Sequence, residues 1–471
     1  MSDGNTLIML REVIAANKDY IDACLMEDVP VVCINRETKK NKRMSFKSLY
    51  INNSEFWLKN EVWEYFLADD ELKSLQRRAV TFVEPWKPKP EPEPAKPAVI
   101  IPKTTTEEED QGFGENLVNY AALSEPERVE RIKSCKSRLD VLISQKPRQE
   151  QLITEALVET TQDTILYNYA SLMNTLNLSN AEAKTQTQDL VDSTNNLVKA
   201  SSQLITTNIF NNELMQTLVA KSNGAIIQHM TRVYLSGLAF ISYYNKLVST
   251  SSIINKLRIA FVEQYLPFYH SLLPHIHPDD MSLERVFLGG MRAIPENILY
   301  NWATGFLMHD IGKAAAVDYH EGEAAYNHAI VMEHVKIGYA SIMNKTNYPR
   351  DVELIAGYHH EYYGDPSGYG LFRSGLDNAR KSNPQIKPDY CISYDIDPMM
   401  KYEARAFFPA KVLEIIDVYD ALTDPNRKYR KALPVEEALD LMKKEFIEKH
   451  HKIDLILFDL FTRFVREAAA T

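Results

Sequence analysis

From about residue 116 onward, apolar residues recur at helical spacing; only a short N-terminal stretch breaks that rhythm. Within 1–84 the pattern predicts a helix over Leu7 to Leu25, a strand over 29–34 (VPVVCI) and a second helix near Glu55 to Leu75. Together these make a small α+β domain. The basic run at 36–43 (RETKKNKR) reads as a solvated hairpin tip. Residues 85–97 (PWKPKPEPEPAKP) then carry six prolines at near-alternate positions, which excludes a helix or a central strand. With the acidic TTTEEEDQ that follows, 85–112 is an extended, semi-rigid linker.

Residues 113–222 form a helical connecting region. There Leu190/Val191, Leu197/Val198 and Leu204/Ile205 recur every seven residues. Such a pattern suits a packed helical hairpin, or alternatively a helix that couples a signal or pairs with a second copy of the chain. Residues 223–471 alternate apolar and polar positions at helical spacing between Gly and Pro breaks, so the C-terminal domain is all-helical and the fold class mainly α.

Composition narrows the picture. At 471 residues, 45% hydrophobic and 25% charged, the chain has the balance of a soluble multidomain protein. A net charge of −11 argues against a nucleic-acid polymer as partner. The four cysteines form no CxxC pair and fit reduced thiols in a cytoplasmic protein. The N-terminus lacks the basic and apolar regions of a signal peptide. The apolar run from Val233 is too short to span a bilayer.

Chemistry concentrates between His309 and Tyr369, where HDIGK, EHVKIG and YHHEYYGDPSGYG follow in order. Histidine is the commonest ligand of catalytic transition metals, and a carboxylate can bridge two ions. His309 and Asp310 end an apolar helix that begins at Pro295, where an uncompensated carboxylate would be costly to bury. Asp417 lies in the same situation among Val412, Leu413, Ile415, Ile416 and Val418, with Asp420 three residues on. His334 falls on an apolar helix. The adjacent His359 and His360 can send one ring to each of two ions. His320 and His328 have no such support and read as surface residues.

HDIGK, HVKIG, HHEYYGDPSGYG and DVYDALTDPNRKYR in this order resemble the HD-GYP family, a branch of the HD phosphohydrolase superfamily, over about 214–445. The resemblance implies an all-helical HD-type domain. It also implies hydrolysis of the bacterial second messenger cyclic di-GMP at a centre of two or three iron or manganese ions. The family's further histidine, in an HxxRV context, is matched by His229 with Arg232 and Val233; His277 is a rival, in a loop-like HIHPDD. Choosing His229 makes Ile253 to His277 an inserted helical segment.

Ala225 stands where three-metal members carry glutamate, so two ions are expected. The expected ligands are His229, His309, Asp310 and Asp417 for one, and Asp310, His334, His359 and His360 for the other. Lys313 would hold a phosphate oxygen beside the catalytic Asp310. Tyr369, Arg427 and Arg430 would bind the rest of the dinucleotide. The family's GYP is GYG here (Gly368, Tyr369, Gly370), which should loosen its loop. Residues 371–403 exceed the usual link and are long enough for a lid. Two other readings remain: a receptor that binds a cyclic dinucleotide without cutting it, and an HD hydrolase of another nucleotide. The N-terminal domain could dock a partner that nothing in its sequence names.

Overall fold

The computed structural model describes residues 7–16, 29–36, 38–46, 62–68, 122–147, 149–175, 177–206, 225–314, 328–362, 367–424 and 431–469, with isolated positions such as Cys24, Tyr120 and Asp365. The linker expected at 85–112 lies outside the described residues. The chain divides into two compact units, Met1–Lys103 and Thr104–Thr471.

The first unit is a four-stranded antiparallel sheet, β1 (Leu7–Met9), β2 (Pro30–Asn35), β3 (Asn41–Ser45) and β4 (Trp63–Ala68), in the order β1-β4-β2-β3. Helix α1 (Leu10–Ala16) buries Leu10, Val13 and Ile14 in one cluster with Val31, Cys33, Phe46, Tyr65 and Leu67. The basic run is the hairpin between β2 and β3: Asn35 Oδ1 accepts from the Thr38 amide at 2.8 Å, and Lys39 takes φ 55°. Two expectations change. Leu7–Met9 and Trp63–Ala68 are strands where helix was expected. In WEYFLA, Tyr65 and Leu67 face the core, but Phe66 between them is also bulky and apolar, so period two is masked while aromatic strand preference prevails.

The second unit is almost wholly helical, which makes the protein mainly α with a small N-terminal α+β unit. Helix α2 (Glu125–Ser144) packs on α3 (Glu150–Thr175), which is buried nearly all round, and α4 (Gln188–Thr206) closes over both. Threonines 154, 160, 161 and 164 of α3 donate to their own helix's carbonyls four residues back, at 2.7–2.9 Å. The heptad residues of α4 are all buried in this chain's own core.

One continuous apolar core runs from Tyr120 to Val465, joining these helices to α5 (Ala225–Thr250), α8 (Glu296–Met308), α9 (His328–Lys345), α10 (Arg350–Tyr358), α12 (Phe408–Thr423) and α13 (Leu455–Ala469). Buried polar bonds tie the same halves together: the Tyr348 hydroxyl reaches Asn168 Oδ1 (2.9 Å) and Thr194 Oγ1 (2.8 Å). The segment 253–277 contains α6 (Ile253–Ala260), a π-helical turn (Phe261–Tyr265) and α7 (Leu266–Leu272). Residues 371–407 are no free lid. They form α11 (Leu371–Ser382) and a parallel strand pair, β5 (Asp389–Ser393) and β6 (Ala404–Phe407), with Phe372, Tyr390 and Met399 in the core. Among the described residues, no helix is long and apolar enough to cross a membrane.

Candidate metal centre

Seven side chains from five elements converge in the second unit. Helix α5 supplies His229, the end of α8 His309 and Asp310, α9 His334, the end of α10 His359 and His360, and α12 Asp417. Their donor atoms form two groups that share Asp310: His229, His309 and Asp310 in one, and Asp310, His334, His359 and His360 in the other. Asp417 stands between them, Oδ1 3.2 Å from His229 Nε2 and Oδ2 3.9 Å from His360 Nε2. His277, the rival, is exposed and caps a 3-10 turn. His320 lies outside the described residues, and His328 begins α9.

The local backbone explains how the rings are aimed. A helix's last carbonyls lack intrahelical partners. His309 and His359 each follow a helix's last residue, and each bonds through Nδ1 to the carbonyl three residues back: Phe306 O and Ala356 O, both at 2.9 Å. Since a carbonyl only accepts, Nδ1 carries the proton and Nε2 presents a bare lone pair. His229 uses a carboxylate for the same purpose, Nδ1 to Asp420 Oδ2 at 2.7 Å. Asp420 is clamped by Arg232, whose Nε and Nη2 lie 2.6 and 2.9 Å from its two oxygens; Nη2 also reaches Asp424 at 2.7 Å.

The Nε2 lone pairs of His309 and His359 therefore face the other donor atoms. His334 Nε2 lies 3.4 Å from His359 Nε2 and 3.1 Å from Asp310 Oδ1, and His309 Nε2 lies 3.5 Å from Asp310 Oδ2. His309 Nε2 and Asp310 Oδ1 are buried without a hydrogen-bond partner. Buried polar atoms are ordinarily paired, so this donor set fits divalent cations, with the other nitrogen of His229, His309, His359 and His360 already held.

The electrostatics follow the same layout. Burial pushes the His359 pKa well below its usual value and that of His360 down to about 3, so both rings are neutral at pH 7. Burial would also lower that of His229, but its bonds to Asp310, Asp417 and Asp420 outweigh this and raise it to about 10. Burial pushes Asp310 up, yet Lys313 and the surrounding histidines hold it well below the carboxylate range.

The glycines of HDIGK and HVKIG allow this packing. A Cβ on Gly312 would overlap the His334 carbonyl and sit 2.6 Å from the Gly338 amide nitrogen, so the turn after Asp310 lies directly on α9. Lys313 Nζ is bonded to Asp310 Oδ2. The Tyr369 ring lies against His360, with centroids 4.5 Å apart. In the GYG loop, the amides of Tyr369 and Gly370 both donate to His360 O, at 2.8 and 3.1 Å. A proline at 370 could not make the second bond. Arg427 and Arg430 lie outside the described residues.

Two groups had no signal in the sequence pattern. Tyr169 of α3 donates to the backbone oxygen of Asp310 at 3.1 Å. Tyr362 meets His360 Nδ1 at 3.2 Å. Asp420 was visible in the motif, but not as the orienter of His229.

No protein-family model and no curated protein matches this chain. Among solved structures, it is similar to Bd1817, a HDG"Y"P protein from Bdellovibrio bacteriovorus, at 10% sequence identity and a TM-score of 0.38, over 93% of this chain and 94% of that one.

Proposed function

We propose that the chain is a metal-dependent phosphodiesterase of the HD-GYP type that hydrolyses cyclic di-GMP. One observation carries the reading: two buried donor groups share Asp310, and within them His309 Nε2 and Asp310 Oδ1 are buried without a hydrogen-bond partner. His229, His309, Asp310 and Asp417 would hold one ion, and Asp310, His334, His359 and His360 the other. Two divalent iron or manganese ions held there would supply Lewis acidity toward a phosphodiester and a nucleophile at neutral pH. Lys313, at Asp310, offers an ammonium to a non-bridging phosphate oxygen. Tyr369 offers a ring face beside the cage for a guanine. The family motif and the Arg427/Arg430 pair support the dinucleotide over a mononucleotide.

The test is the full chain with Mn²⁺ or Fe²⁺ and cyclic di-GMP, with products resolved by chromatography and cyclic mononucleotides run in parallel. Cleavage to a linear dinucleotide or GMP is expected, together with loss of both bound metal and turnover in Asp310→Asn and His309→Ala. Wild-type protein that binds two ions and cyclic di-GMP without cutting it would overturn the enzyme reading in favour of a receptor.

A further inference from the structure

His360 differs from the other histidines held at Nδ1. Those of His309 and His359 are bonded to backbone carbonyls, and that of His229 to a clamped carboxylate. The Nδ1 of His360 instead faces the phenol of Tyr362, two residues on, at 3.2 Å. A main-chain turn would not ordinarily deliver a tyrosine hydroxyl there. It does so because Tyr362 takes φ 40°, a left-handed conformation uncommon for a bulky residue, which the surroundings must enforce.

Those surroundings are a buried set of charges. The Tyr362 amide donates to Glu414 Oε1 at 3.3 Å. Glu414 is fully buried on α12, three residues before Asp417, and is ion-paired with the buried Lys411, whose Nζ also donates to the Lys452 carbonyl at 3.0 Å. On the other side, Arg373 Nη2 donates to the carbonyls of Glu361 (2.6 Å) and Tyr362 (2.9 Å), while its Nε takes Glu361 Oε1 (2.8 Å). Lys452 Nζ lies over the Tyr362 ring, 5.3 Å from its centroid. The turn is thus held at its amide, at its carbonyl and on its ring face.

We infer that Tyr362 is a positioning residue: its hydroxyl accepts the Nδ1 proton of His360, fixing the tautomer that turns Nε2 toward Asp417, with the Lys411–Glu414 pair and Arg373 holding the turn. This inference rests on the metal-centre reading above and adds to it the group that makes His360 a competent ligand.

The test compares full-length wild type with Tyr362→Phe, which keeps the ring and its packing but removes the acceptor. Mn²⁺ is titrated into stripped protein, metal per chain is counted by elemental analysis, and the His360 tautomer is read in the stripped protein by ¹⁵N-histidine NMR. Removing a group that orients a ligand costs about 10- to 100-fold in metal affinity. The weaker of the two Mn²⁺ constants is expected to fall by that factor, with thermal unfolding of the stripped protein unchanged and the His360 ring losing its single Nδ1–H form. Tyr362→His, which can return an acceptor, should recover part of the affinity. Equal constants within about twofold and an unchanged tautomer in Tyr362→Phe would overturn the inference and leave the metal centre standing. Wild type that takes up no Mn²⁺ would overturn the centre itself.

Discussion

Arg232→Met is the most informative single change outside the cage. The guanidinium is buried and makes three close contacts, two with Asp420 and one with Asp424. Burial pushes the Asp420 pKa up, but Arg232 and the His229 bond overcome this and bring it to about 2 from an ordinary 3.8. A depression of nearly two units is worth about 2.5 kcal/mol at about 1.4 kcal/mol per unit. Removing one partner of a buried ion pair typically costs about 3–5 kcal/mol, because the other charge stays buried. We therefore expect Arg232→Met to lose about 3 kcal/mol at pH 7. The sign of the pH dependence follows from the depressed carboxylate. Its contribution is fully present above the unfolded pKa and is lost as pH falls toward the folded value. Between pH 7 and pH 3 the wild-type advantage should shrink by about 1 kcal/mol. Denaturant unfolding of EDTA-treated protein followed by tryptophan fluorescence measures both. A loss below about 1 kcal/mol at pH 7, or one that does not narrow in acid, would refute the account of Arg232 as the charge that holds Asp420.

Two further expectations follow from packing. Gly312→Ala puts a methyl between two backbones, which side-chain rotation cannot relieve, so destabilisation at or above the usual ~1–3 kcal/mol of overpacking is expected, with loss of Mn²⁺ binding; a variant with wild-type melting temperature and metal content would contradict it. A chain begun at residue 113 should fold and bind Mn²⁺, whereas one begun at 223 should give an aggregating or molten product, because α3 and α4 supply part of the one continuous core; circular dichroism and size-exclusion chromatography decide between these outcomes.

The site was more legible in the sequence than its supports. His229 could be chosen over His277 because it stands on a helix beside an apolar stripe, and the structure brings it to Asp310 and leaves His277 in solvent. Helical periodicity was readable where one face is buried, as in α4. It failed in the N-terminal unit, where aromatic residues on both faces of β4 hide the alternation. Tyr169 could not be read at all. It lies 141 residues from Asp310, on a helix so uniformly buried that no face distinguishes it. Tyr362 depends on a backbone angle, which residue types alone do not specify.

Helix α3 has a consequence of a different kind. Its threonines satisfy their hydroxyls within the helix, so they neither point to nor require anything in neighbouring elements. Asp163, bonded to Arg131, Tyr167, bonded to Glu125, Asn168, bonded to Thr194, and Tyr169, bonded to Asp310, tie the helix's rotation to its surroundings. The threonine positions should thus accept valine, while those four resist exchange. Across descendants of this chain, α3 would drift in spelling along most of its length while keeping its angular setting, held by four pegs.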